Sequence, residues 1–390
     1  MKAKLFLINA FFFLSLLLAA QNIEIKHGPY LQAMGEQGVT IVWTTNKEAI
    51  SWVEVAPDGT DSFYSQEHTP YYDTSHGSRV IDSLHRVRIE GLKPGTTYRY
   101  RIFSKEVLGF QGHRIMYGAI ASTNVYSKKP LSFTTLNKNK QEISFKMVND
   151  IHDRFDMMSE MLKDVNRQNT DLIFFNGDMV STVTDEKRIF DGFMDSAVTL
   201  FASEVPAFMA RGNHETRGQF SHRIPDYFPT INDKLYYNFT HGPVHFLVLD
   251  GGEDKPDSDI EYSELAQFDD YRTKQQAWLK EVVETPEFKN AIYRIVVIHI
   301  PMMGSSWHGT QDLQRKFLPI LNNANIDIML CGHEHAYNYI TPNNQVSFPT
   351  LVNDNEAYLD VKADSQQLNI LVKNQKGEEL HKHTIKKQPN

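Results

Sequence analysis

The sequence predicts an N-terminal all-β sandwich followed by an α/β domain. Three observations carry this. Residues 22–136 hold short strands of alternating pattern with turn formers between them. From residue 137 onward, apolar runs alternate with stretches of helical spacing, as a mainly parallel sheet requires. Five of those later runs end in aspartate, asparagine or histidine, and strand ends are where α/β sheets bind ligands.

Residues 1–20 read as an export signal: Lys2 and Lys4 begin it, an apolar middle follows, and Ala19-Ala20 end it. Cleavage is expected near Gln21, leaving no membrane span and a secreted or bacterial periplasmic protein. The single cysteine, Cys331, excludes an internal disulfide, so an exported chain would depend on its cores alone, which suits the periplasm. Losing Lys2 and Lys4 takes the formal charge from −8 to −10, which excludes a protein that coats duplex nucleic acid. Any attraction for an anionic substrate must come from local charge, such as bound cations.

The sandwich is assigned to residues 21–136. Its strands include Val39-Thr40-Ile41-Val42-Trp43-Thr44, Ser51-Trp52-Val53-Glu54-Val55, His85-Arg86-Val87-Arg88-Ile89 and Thr97-Tyr98-Arg99-Tyr100-Arg101-Ile102. The turn-rich Gly91-Leu92-Lys93-Pro94-Gly95-Thr96 separates the last two. Residues 104–130 are long for a hairpin connection. His68, His76 and His85 are expected at the surface.

A polar linker at residues 137–141 opens the second domain, assigned to residues 137–390. Helical spacing marks residues 155–165, with Asp153 as the expected cap, and also residues 187–202, 273–285 and 313–321. Residues 236–239 and 244–249 suggest an antiparallel pair; His245 lies between apolar neighbours and is expected to face solvent. The alternating tail, residues 358–385 with a turn at Lys376-Gly377, is expected to close the sheet.

The strand-end residues Asp150, His152, Asp178, Asn213, His299, His333 and His335 mix hard oxygens with imidazole nitrogens and include no thiolate. That donor set suits manganese, iron, zinc or cobalt better than calcium. Seven ligands exceed the needs of one metal with an open position. They suffice for two divalent ions if one carboxylate bridges, the usual arrangement for hydrolysis at phosphorus.

In series, the stretches Asp150-Ile151-His152, Gly177-Asp178, Gly212-Asn213-His214-Glu215, His299 and Gly332-His333-Glu334-His335 resemble the signature of calcineurin-like metallophosphoesterases. Residues 91–101 resemble part of a fibronectin type III-like domain, and Pro29-Tyr30-Leu31-Gln32 resembles the entry to that domain in purple acid phosphatases. The resemblance implies a two-sheet sandwich flanked by helices. It also implies one metal on Asp150, His152 and His335, a second on Asn213, His299 and His333, and Asp178 between them. Ser181 stands where purple acid phosphatases carry a tyrosine, and His152 where they lack a histidine. Two divalent ions and no purple colour are therefore implied. Asn338 replaces their usual glutamate.

The activity so implied is in-line hydrolysis of a small phosphate monoester by hydroxide held on the metal pair. His214 would protonate the leaving alcohol, with Glu215 orienting its ring. His308, beside Trp307 on a glycine-flanked loop, is a candidate substrate contact. Arg211 is expected in a salt bridge and Asp250 bonded to nearby loops. A phosphodiesterase or nucleotidase is the alternative on the same site. In another class, the alternative is a surface binding or adhesion protein with an idle second domain.

Overall fold

A computed structural model describes residues 22–387; the expected export signal, residues 1–20, lies outside them. The N-terminal domain is built on the 20-residue strand Gly38–Pro57. Its first part pairs with Ile25–Gln32 and Asp82–Glu90, and its second part with Pro70–Tyr72 and Thr97–Gln111. A register shift between Thr44 and Ala49 separates the two parts. Trp43, Val53, Ile89, Tyr100 and Phe133 are fully buried beneath them. His85 is buried as well, not exposed as expected. Its strand runs beside Trp43, and Thr45 Oγ1 lies 2.8 Å from its Nε2.

The second domain contains two six-stranded sheets, as the resemblance implies. In the first, Ala207–Met209, Leu172–Phe175 and Ile143–Val148 are parallel. The tail strands Ala357–Ala363, Gln367–Asn374 and Glu379–Lys386 extend it antiparallel, with Gly377 turning at φ +83°. In the second sheet, Val244–Val248, Tyr293–Val297, Ile328–Cys331 and Thr350–Val352 are parallel, and Tyr237–His241 and Asn338–Ile340 form antiparallel edges.

Aromatic side chains lock the two sheets face to face. Phe145 of the first meets Phe246 of the second edge-on, with centroids 5.2 Å apart. Phe208 stacks on Phe239 at 4.3 Å. Offset and edge-on rings at such spacings add to the burial energy of the rings themselves. The outer face of the first sheet is covered by Met158, Met161, Phe190 and Phe193, and that of the second by Leu279, Phe288, Leu313 and Phe317. The parallel strands of each sheet are thus largely buried on both sides, while the tail strand Glu379–Lys386 stays exposed. This explains His245: it lies inside, between the sheet and Phe288, with Thr240 and Asn238 on its two ring nitrogens.

The helical stretches differ from expectation in detail. The first is Phe155–Leu162, and its N-cap is Arg154, not Asp153. Asp153 instead accepts from Ser181 N–H and Arg188. Residues 186–202 include two wide turns, Phe190–Met194 and Val198–Ala202, of the π type. The domains meet through polar contacts, including Tyr100 Oη donating to the Ser203 carbonyl at 2.7 Å.

Candidate metal centre

The parallel strands of both sheets deliver their carboxyl ends to one crevice. Val148 leads to Asp150 and His152, and Phe175 to Asp178; Val297 leads to His299, and Cys331 to His333 and His335. Five of these residues lie in the left-handed backbone region: Asp150 at φ 52°, His152 at 47°, Asp178 at 54°, His333 at 75° and His335 at 52°. Non-glycine residues rarely sit there, and such strain concentrates at functional sites.

Three overlapping groups of side chains result among the described residues. Asp150, His152 and His335 form the first, Asp178, His299 and His333 the second, and His152, Asp178 and His214 the third; within each, the ligand atoms lie within 4.8 Å of one another. In the first, His335 Nε2 is 3.2 Å from Asp150 Oδ1 and 3.1 Å from His152 Nε2. In the second, His299 Nε2 is 3.1 Å from Asp178 Oδ2, and Asn213 Oδ1 is 3.0 Å from His333 Nδ1. Asp178 Oδ2 also lies 3.9 Å from His152 Nε2, so it stands between the groups.

The donors fit cations. Asp150 Oδ1 and His299 Nε2 are buried without a hydrogen-bond partner, an expensive condition for polar atoms unless something charged sits between them. Burial works against a charged His299, yet Asp178 and Asp150 outweigh it and carry its pKa up to about 10. Burial likewise opposes the Asp178 carboxylate, but His299 and His214 hold its pKa well below the usual carboxylate range. The cluster is built around positive charge at its centre.

A second layer of hydrogen bonds holds these groups. Asn149 Nδ2 donates to Asp150 Oδ2, and Asn353, some two hundred residues later, donates to Asn149 Oδ1 at 2.8 Å. His299 Nδ1 donates to the Asn176 carbonyl at 2.7 Å, which turns Nε2 inward. Close approach requires glycines at two points. A Cβ on Gly177 would stand 2.5 Å from His299 Nδ1, and one on Gly212 would stand 2.2 Å from Asp178 Oδ1.

Glu215 has a different task from the one expected. Fully buried, it accepts backbone N–H groups of Asp178, Met179 and Gly212 at 2.7–3.0 Å, and so ties two strand-end loops together. Burial and the Asp178 charge push its pKa up to about 7. His214 is positioned by Ser181, whose carbonyl accepts from Nδ1 at 2.7 Å. This leaves Nε2 facing the cluster, 3.9 Å from Asp178 Oδ2. Arg211 pairs with Asp250 at 2.9 Å, as expected. His308 opens the helix His308–Lys316 instead of riding a loop, and its Nε2 pairs with Asp269 at 2.8 Å. The roles of Glu215, Ser181 and Asn353 were not legible in the sequence; Asn149 and Asn176, which adjoin the ligand stretches, left a signal.

Comparison with known proteins agrees with this geometry. Residues 143–337 match the calcineurin-like phosphoesterase family, and residues 28–135 match the purple acid phosphatase N-terminal domain. Mouse acid phosphatase type 7 is 24% identical over 80% of this chain and 70% of its own length. Arabidopsis thaliana purple acid phosphatase 23 is 27% identical over 35% of this chain and 29% of its own length. Purple acid phosphatase 22 of the same plant is 23% identical over 65% and 53%. With strand ends from two facing sheets meeting at Asp178, and half of its length matched, the chain belongs to the calcineurin-like phosphoesterases, hydrolases of phosphoric esters, and carries the N-terminal domain of purple acid phosphatases.

Proposed function

We propose that the protein is an exported phosphomonoesterase working with two divalent cations of the manganese, iron, zinc or cobalt class. Asp150, His152 and His335 would hold one cation, Asn213, His299 and His333 the other, and Asp178 both. The observation that carries this reading is the position of Asp178 Oδ2, 3.1 Å from His299 Nε2 on one side and 3.9 Å from His152 Nε2 on the other. The unpartnered Asp150 Oδ1 and His299 Nε2 support it. When bound, the cations would lower the pKa of water between them and stabilise charge developing on phosphorus.

The chain's own groups then have distinct tasks. His214 supplies a proton to the leaving alcohol from Nε2, because Ser181 occupies Nδ1. Arg217, held by Glu253 at 2.9 Å, stands 3.5 Å from that Nε2. Asn176 and Asn149 keep His299 and Asp150 aimed inward. The relatives' names support monoesters over diesters. Export rests on residues 1–20, and the N-terminal residue of protein recovered outside the cytoplasm tests it.

The test of the activity is metal analysis of the purified protein with turnover of an aryl phosphate and its bis ester under each divalent ion. Faster cleavage of the monoester is expected. Preference for the bis ester would replace the reading with a phosphodiesterase, and bound metal without cleavage of either would favour the binding role.

A further inference from the structure

Residues 107–120 form a two-stranded ribbon that continues beyond the body of the N-terminal sheet. Strand Thr97–Gln111 pairs with Gly38–Pro57 only as far as Glu106. Past that point its sole partner is Arg114–Ser122, in the register Val107↔Tyr117, Gly109↔Met116 and Phe110↔Ile115. The outer strand lies at the end of the sheet order, so its far edge has no neighbour among the described residues. At about 3.3 Å per residue the ribbon extends about 15 Å.

This ribbon is apolar where it should be polar. Leu108 is 60% exposed, Phe110 62%, Ile120 53%, Met116 43% and Tyr117 38%. Opposed residues of an antiparallel pair share a face. Phe110 and Ile115 therefore share a face with Val107 and Tyr117, and Ile120 joins it opposite Lys105, while Met116 stands on the other face opposite Gly109. A bare two-stranded ribbon is marginal in water, and natural proteins rarely leave such an edge uncovered.

Its charge is also out of keeping with the chain. Residues 104–130 carry Lys105, Arg114, Lys128 and Lys129 against one acid, Glu106, in a protein of net charge −8. That acid is already paired with Lys47. Lys105 Nζ sits 4.3 Å from the Tyr117 ring centroid, and Tyr126 is 78% exposed close by, over Arg101. Apolar side chains, tyrosines and cations in one projecting segment are the composition of the membrane–water interface.

We propose that the ribbon docks the protein on an anionic lipid surface. One face gathers Phe110, Ile115, Tyr117 and Ile120 beside Lys105, and the same segment carries Arg114, Lys128 and Lys129, a combination that complements anionic headgroups. A second copy would set like charge against like. The tip Gln111-Gly112-His113-Arg114 is polar, so the ribbon lies at headgroup depth with Phe110, Ile115 and Ile120 against the acyl boundary. The acidic remainder of the chain is repelled from the same surface, which orients the protein.

The test is co-sedimentation of the purified protein with phosphatidylglycerol–phosphatidylcholine vesicles and with pure phosphatidylcholine vesicles. Binding to the anionic vesicles is expected, with at least about tenfold loss for the Leu108→Ser/Phe110→Ser variant and a further dependence on salt. The variant's aryl phosphate turnover and circular dichroism should match the parent, which separates lost docking from lost folding. Failure of the parent to bind anionic vesicles, or equal binding by the variant, would overturn the proposal. So would a parent that is dimeric in solution, becomes monomeric in the variant and ignores lipid, since the occupant would then be a second copy.

Discussion

The carbonyl oxygen of Ser181 lies 2.7 Å from Nδ1 of His214. A carbonyl only accepts, so Nδ1 carries a hydrogen and Nε2 is the atom that faces Asp178. The residue that occupies the place of a tyrosine in purple acid phosphatases thereby acts through its backbone, and the ring of His214 is set without help from Glu215.

From this follows the expected behaviour of His214→Ala. Loss of a positioned proton donor costs on the order of 10²–10⁴ in kcat. Metal content should stay as in the parent, and the pH–rate profile should lose the limb that reports the acid. Measuring kcat against pH beside metal analysis checks this; an unaltered profile would retire the role.

Glu215 should matter for folding more than for the chemical step. Glu215→Ala leaves backbone N–H groups of Asp178, Met179 and Gly212 buried without an acceptor. Each orphaned donor costs about 1–3 kcal/mol, so a loss of roughly 3 kcal/mol or more is expected. Denaturant titration at neutral pH reads it directly.

Gly212→Ala tests how tightly the two loops close. The new Cβ would stand 2.2 Å from Asp178 Oδ1, so the aspartate or the loop must move. Weakened metal retention is expected, because Asp178 stands between both ligand groups. Dialysis against a chelator followed by metal analysis should show faster loss than in the parent.

Two buried histidines give the fold an acid limit apart from the centre. Burial lowers the pKa of His85 from 6.5 to about 4; the charge of Asp82 opposes this only in part. Burial and then Arg294 lower His245 to about 4, against Glu287. With folded values below the unfolded one, the unfolded chain binds more protons as pH falls. Stability is therefore full above about pH 6.5 and declines down to about pH 4, by roughly 3 kcal/mol per histidine. Thermal melts of the parent and of His85→Gln between those pH values test the sign: the variant's melting temperature should vary less.

Removal of metal should have an effect beyond loss of turnover. Without cations, the carboxylates of Asp150 and Asp178 face each other with only imidazoles to balance them. A chelated sample is expected to melt earlier than the metal-loaded protein, and added manganese or zinc to raise the melt progressively with the logarithm of free ion concentration. An identical melt in both states would mean that the folded crevice does not bind the added ions.

The sequence by itself determined the local pieces of this molecule: which stretches extend, which coil, and which side chains leave each strand end. Asp150, His152, Asp178, Asn213, His299, His333 and His335 were legible because each follows an apolar run directly, and a strand end has only one place to go. Tertiary structure decided what those pieces meet. Alternation puts a residue such as His245 in solvent only if one sheet face is wet, and here facing sheets and helices cover both. Likewise, Asn353, which holds Asn149 beside Asp150, and Ser181, which holds His214, lie far off in the chain from what they hold, and no spacing rule links them. A hydrogen bond needs two atoms at one point in space: the pairing of Leu172–Phe175 with Ala207–Met209 brings Ser181 to His214, and the packing of Phe145 against Phe246 and Phe208 against Phe239 brings Asn353 to Asn149.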